Sequence, residues 1–232
     1  MAVPDVWRAA YIIRQLAKWE QAGAMPQLIL ICLPDDHTSG ASAGLPTPEA
    51  AMADNDLAFG RIVEAFSHSR FWPETVIFAI EDDPQAGWDH VSGYRTTAYC
   101  ISPYTRRGET VSTLYNTNSL LRTMEQILGL PPMNQFDAAA LPMYACFTDT
   151  PDLRPYDAVP NIVPLDQLNP QPASIREPLF RRDAIVSAQL DLQRPDRAPE
   201  DTLNQILWRA TRGLHVPYPT WAITAVEDDD ED

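Results

Sequence analysis

Two short apolar runs, each ended abruptly by acids, restrict this chain more than any other feature. Residues 27–33 (QLILICL) sit between Pro26 and Pro34 and lead into Asp35, Asp36 and His37, while residues 75–80 (TVIFAI) lead into Glu81, Asp82 and Asp83. A run this short, apolar at every position after its first residue, has no polar face to offer water. It therefore predicts a strand covered on both faces, the kind found in parallel sheets.

Helical periodicity surrounds these runs. Pro4 and Asp5 suit a first turn, and Val6, Ala9, Ala10, Ile13, Leu16 and Ala17 recur at helical spacing, so residues 4–22 are expected as a helix that ends at Gly23. Residues 48–68 place Leu57, Ile62, Val63 and Phe66 on one side of a second helix, which Trp72-Pro73 ends. A third strand is expected at residues 97–101, closed by Ser102-Pro103. After it, Thr117 or Asn118 can cap a helix carrying Leu120, Leu121, Met124, Ile127 and Leu128 up to Gly129. Helices alternating with buried strands predict an α/β fold, a mostly parallel sheet flanked by helices.

From Phe147 to about Pro199 the chain is dense in Pro, Asp and Asn, with 22 prolines against nine glycines overall. This predicts an ordered wrap over the domain surface, with a weaker helix over residues 178–192. A last helix over residues 199–212 is expected to bury Leu203, Ile206, Leu207 and Trp208. The expected organisation is an α/β domain over residues 1–146, a Pro-rich wrap and C-terminal helix over 147–226, and a disordered acidic tail over 227–232.

The formal net charge is -15, and the tail supplies six of those negative charges. Such a balance repels nucleic-acid phosphates and argues against sequence-independent DNA binding. Cys32, Cys100 and Cys146 are too widely spaced for a zinc knuckle and odd in number, which favours buried free thiols over a disulfide framework. No apolar run reaches the roughly 18 residues of a membrane span, and the N-terminus lacks a signal h-region, so a soluble cytoplasmic protein is expected.

Ligands of open α/β sheets gather beyond the carboxyl ends of the strands, which is where both acid clusters fall. Asp36 with His37, and Asp82 with Asp83, offer oxygen and imidazole donors to a divalent metal, and His90 lies seven residues beyond Asp83 across a loop that can return it. The bland alternative is that these acids are turn residues or helix caps, yet the crowding of Glu81, Asp82 and Asp83 costs stability unless a cation is present. A metal there stabilises the charge developing on a phosphate ester and activates water. Arg95 is placed to fork a phosphoryl oxygen, and Trp88 to wall a substrate pocket. His68 and His215 have no such neighbours and read as structural or exposed.

Four segments in order carry a resemblance: LPDDHT at 33–38, EDDPQAGWDHV at 81–91, ISPYTRRG at 101–108 and SLLRTMEQILGLP at 119–131. They resemble the C-terminal half of phosphoesterases of the alkaline phosphatase superfamily, in the acid phosphatase and phospholipase C-like branch that includes propeller-fused bacterial members. The likeness runs from about Asp5 to Pro219. It implies an alkaline phosphatase-like α/β domain without its N-terminal half, and metal ligation by Asp36, His37, Asp82, Asp83 and His90. Zinc is the first expectation and manganese or calcium the alternatives. Tyr94 stands where the branch is expected to carry a second histidine, and Ser92 where an acid is common.

Relatives draw another metal-binding acid and a Ser or Thr nucleophile from the N-terminal half, so the chain reads as either a fragment or a short enzyme without the covalent step. Thr38 is the only hydroxyl beside the cluster and is the candidate replacement nucleophile. Otherwise attack by metal-bound hydroxide is expected, favouring activated phosphotriesters or phosphodiesters. The alternatives are an inactive half-domain serving as a scaffold, or a sulfatase or phosphonate hydrolase. The partners implied are a small phosphate ester and, to cover an exposed strand edge, a second copy of the chain in a homodimer.

Overall fold

The computed structural model describes residues 3–82, 95–192 and 197–223. Its centre is a pair of helices. The first, α1 (Asp5–Ala22), begins after Pro4, whose fixed φ of -55° enters a helix without cost. It ends at Gly23 in the left-handed region (φ 75°), where the Gly23 N–H reaches Glu20 O and the Ala24 N–H reaches Trp19 O. The second, α2 (Pro48–Ser67), is capped by the Thr47 hydroxyl, which accepts the Ala50 N–H at 3.2 Å.

The two helices bury Ala9, Leu16, Ala58, Ile62 and Phe66 between them. Ala9 and Ala58 are fully buried, and their small size lets Ile62 and Phe66 pack deeply. Each of those two large side chains contributes about 1.5–3 kcal/mol of burial.

The third layer is small. Strand β1 (Ile77–Ile80) pairs antiparallel with β2 (Ala98–Ile101) in the register Ile77–Ile101 to Ile80–Ala98, and the Glu81 N–H extends the ladder to Thr97 O at 3.1 Å. Two of the three expected strands are thus present. The expectation of a parallel sheet is corrected, because the described sheet has two antiparallel strands. A short apolar run looks alike in either orientation, and only its partner decides the direction.

Residues 27–33 form neither a helix nor a ladder among the described residues. Ile29 and Leu33 pack against the helical core, whereas Leu28 and Leu30 face outward, Leu30 at 84% exposure. Cys32 lies on the same outward side and is exposed, correcting the expectation that all three thiols are buried; Cys146 is buried and Cys100 half-buried.

Helix α3 (Thr117–Leu128) is closed at its start by Asn116 and Ser119, which cap each other's backbone. Its buried residues are Ser119, Thr123 and Glu125, while its apolar residues Leu120, Leu121, Met124 and Leu128 are half-covered and Ile127 is exposed. Thr123 explains the choice: its hydroxyl donates to Ser119 O at 2.7 Å and accepts the Met143 N–H at 2.8 Å, so the polar side faces the chain that follows. A five-residue helix, α4 (Gln135–Ala139), packs beside it.

Residues 147–176 run in irregular conformation along α2 and the 40–47 loop. The Ala158 N–H donates to Glu64 Oε1, the Tyr156 N–H to Ser67 Oγ, and the Asn169 N–H to Leu45 O. Helices α5 (Pro178–Ser187) and α6 (Glu200–Arg212) then pack together, tied by a two-pronged pair from Arg209 to Asp183 at 2.6 and 2.7 Å. Helix α6 buries Leu203, Ile206 and Leu207 as expected, while Trp208 is half-buried with its Nε1–H donating to Val216 O. No described helix is long and apolar enough to cross a membrane.

Candidate functional site

The turn holding Asp35, Asp36 and His37 is one turn of 3-10 helix, Asp35–His37, at the end of the 27–33 segment. Pro34 precedes it and the Thr38 N–H closes it on Asp35 O at 2.9 Å. It is fastened from below by residues that the two helices supply. Asp5, fully buried at the head of α1, accepts the Asp35 N–H at 2.9 Å and the Asn55 amide at 3.1 Å, and Asn55 also donates to Leu33 O at 2.8 Å. Arg8 Nε lies 3.2 Å from the other Asp5 oxygen. Asp54 of α2 accepts the Asp5 N–H at 2.5 Å and the Val6 N–H at 3.3 Å, capping a helix whose own preceding residue, Pro4, cannot.

Asp5, Asp35 and Asp54 bring one carboxylate oxygen each within 4.8 Å of the others. Crowding and burial leave a clear mark: Asp35 is pushed up to about 6, by burial first and then by the charges of Asp5 and Asp54. Burial likewise raises Asp5. The three acids have the spacing of a cation site; Asp54 and one Asp5 oxygen take backbone and amide donors, while Asp5 Oδ1 and Asp35 Oδ1 are buried without a hydrogen-bond partner among the described residues. Through its hydrogen bonds the cluster also clamps the turn to the helices.

Asp36 is raised by burial first and then by the Glu81 carboxylate, against the lowering effect of the Asp36 and His37 N–H groups. His37 Nδ1 is buried and meets no hydrogen-bond partner among the described residues. An orphaned imidazole nitrogen beside a half-buried carboxylate is a pair of donors a divalent cation takes. Asp36 and His37 are thus donors of the kind a metal takes, and among the described residues the three-donor group that meets is the neighbouring Asp5, Asp35 and Asp54.

Glu81 itself accepts the Thr97 hydroxyl at 2.9 Å and the Thr96 hydroxyl at 3.3 Å. Asp82 follows it and is exposed, and Arg95 is exposed ahead of β2. Of the expected ligands, Asp36 and His37 are adjacent in the turn, and Asp36 feels the charge of Glu81, the residue before Asp82. Asp83, Trp88, His90, Ser92, Tyr94 and residues 227–232 lie outside the described residues.

Thr38 is 5% exposed and has φ 63° and ψ 177°, a combination that a β-branched residue adopts only under strain. Its hydroxyl oxygen accepts the Gly40 N–H at 3.0 Å, turned into its own loop. His68 has a structural place, its Nδ1 2.9 Å from Glu64 O and its Nε2 3.6 Å from Asp157 of the wrap.

Sequence reasoning missed Asp5 and Asp54. Asp5 reads as an ordinary acid of a first helical turn. Asp54 and Asn55 left a signal, since two short polar residues in the middle of a helix compete with its backbone and need a reason to be there.

A family model described as Phosphoesterase family matches residues 4–131, a stretch that contains the clamp, the Asp35–His37 turn and both strands. No curated protein and no solved structure matched the chain.

Proposed function

We propose, from the premise that this chain belongs to the Phosphoesterase family, that it is a metal-dependent hydrolase of phosphate esters with Asp36, His37, Asp82, Asp83 and His90 as its ligands. The observation that carries the reading is the unpartnered, buried His37 Nδ1 beside Asp36, next to the Asp5, Asp35 and Asp54 carboxylates that meet within 4.8 Å. A bound divalent ion, zinc before manganese or calcium, would neutralise charge on the ester and activate water as the attacking group.

The chain's own residues do the rest. The Asp5 and Asp54 clamp holds the turn against the helices, so that Asp36 and His37 meet the ion without rearrangement. Arg95 offers its guanidinium to a phosphoryl oxygen. The buried Thr38 hydroxyl, occupied by the Gly40 N–H, supports water rather than Thr38 as the attacking group. A route without a covalent intermediate favours triesters and diesters with good leaving groups.

The test is metal analysis of the purified protein together with hydrolysis of aryl phosphate mono-, di- and triesters. Turnover restored by Zn, Mn or Ca after chelation, and lost in Asp36→Asn and His37→Ala with folding intact, is the expected result. A protein that binds none of these metals and turns over none of these esters would reverse it in favour of a non-catalytic scaffold. A preference for aryl sulfates or phosphonates would move the substrate class.

The same reading includes a homodimer. Residues 27–33 carry no charge, expose Leu28 and Leu30, and leave their ladder positions open among the described residues, which suits antiparallel pairing with a second copy about Leu30. Sedimentation of wild type and Leu30→Lys tests it, the variant being expected as a monomer.

A further inference from the structure

Away from the candidate site, two cysteines far apart in sequence meet. Cys100 occupies the middle of β2, opposite Phe78. Cys146 ends a 3-10 turn, Tyr144–Cys146, and is 8% exposed. The chain leaving β2 is stitched to the chain leaving that turn: the Arg106 N–H donates to Cys146 O at 3.0 Å, the Thr148 N–H to Tyr104 O at 2.8 Å, and Thr105 pairs with Phe147 in an antiparallel bridge. These bonds draw the two backbones alongside each other. The thiols themselves stand within hydrogen-bonding reach of one another, and both are reduced.

We propose that Cys100 and Cys146 are a disulfide-forming pair, a covalent cross-link site that fastens β2 to the start of the Pro-rich wrap when the protein meets a low-molecular-weight disulfide. The first exchange places the external disulfide on Cys100, the more accessible thiol. The Cys100 sulfur loses its proton, bonds to one sulfur of the reagent and releases the other as a thiol. Cys146 then loses its proton, attacks the Cys100 sulfur and expels the second small thiol. Two cysteine protons and two electrons leave the protein, one Sγ–Sγ bond forms, and the reagent ends as two thiols.

Burial pushes the Cys100 thiol up to about 12, so at neutral pH the thiolate is scarce and closure is slow, quickening as pH rises. Cys32 is exposed and remote from this pair in sequence, so it serves as an internal standard for ordinary surface reactivity. The cross-link spans 46 residues, long enough for the constraint on the unfolded chain to register as a rise in Tm of about 5–10 °C.

The experiment uses the full chain and a Cys32→Ser variant, each incubated folded with oxidised glutathione at pH 7 and pH 9, then alkylated in denaturant and mapped by peptide mass spectrometry. The expected result is one cross-linked peptide pair holding Cys100 and Cys146, formed faster at pH 9, with the rise in Tm reversed by dithiothreitol. Finding Cys100 and Cys146 both alkylated after oxidation, while Cys32 is glutathionylated in wild type, would overturn the proposal. So would a cross-link that forms only in urea. Because both forms compared retain Cys100 and Cys146, the result does not depend on a core substitution folding.

Discussion

Replacing Asp5 by Ala removes the bolt between the helical layer and the Asp35–His37 turn, and its cost follows from the contacts. The side chain is fully buried and accepts the Asp35 N–H at 2.9 Å and the Asn55 amide at 3.1 Å. Two hydrogen bonds to an ionised acceptor are worth about 1.5–3 kcal/mol each, so the gross loss is about 3–6 kcal/mol. The variant also loses a repulsive neighbour. Two full like charges 4.8 Å apart repel by about 3.5 kcal/mol at an effective dielectric of about 20, and the Arg8 guanidinium 3.2 Å from Asp5 offsets part of that.

The net destabilisation is then about 1–3 kcal/mol, or a fall in Tm of about 3–10 °C for a chain of this size. Asp5→Asn keeps one carbonyl oxygen for the Asp35 N–H and sheds the repulsion, so its Tm stays within about 3 °C of wild type. Thermal unfolding by circular dichroism at pH 7 reads both. Turnover of an aryl phosphate diester falls further in Asp5→Ala than in Asp5→Asn, because the turn bearing Asp36 and His37 is released. An Asp5→Ala protein that melts with wild type, or an Asp5→Asn protein as damaged as the alanine variant, refutes the clamp.

Three other outcomes follow from the packing and charge. Ile62→Ala, in the α1–α2 core at 3% exposure, should cost about 2–5 kcal/mol in denaturant unfolding without altering metal content. Asp183→Ala strands the Arg209 guanidinium, itself only 18% exposed, and should lower stability by about 3–5 kcal/mol, visible as an earlier urea midpoint. Asp137 is held at about 2 against an ordinary 3.8, since the N–H groups of Met133, Asn134 and Ala138 outweigh the effect of its burial. A depressed carboxylate stabilises the fold above its unfolded value and loses that contribution as pH falls through about 2. Acid titration of Asp137→Asn should therefore show a shallower loss of α4 and α3 structure between about pH 4 and pH 2 than wild type.

The helices were legible because their signals are local. Pro4 and Gly23 bracket α1, Thr47 and Pro48 open α2, and Gly129 closes α3, each acting on backbone groups within four residues of itself. The strands at 77–80 and 98–101 and the turn presenting Asp36 and His37 were legible for the same reason, as apolar runs ending at a Pro or a cluster of acids.

What the tertiary structure alone decided involves partners far apart along the chain. Strand β1 runs antiparallel to β2, a direction its apolar residues do not encode. Residues 27–33 have the apolar pattern of a buried strand, yet burial needs a neighbour on each side, and Leu30 faces out. The stripe on α3 stays half-covered because Thr123 bonds Met143, 20 residues on, and turns the polar side inward. Asp5 reads locally as a first-turn acid and Asp54 as an awkward helix interior; each becomes intelligible only when folding sets them against each other and Asp35, 49 and 30 residues apart. The acids and histidine at the strand end thus follow from sequence, and the clamp that holds them in place follows from packing.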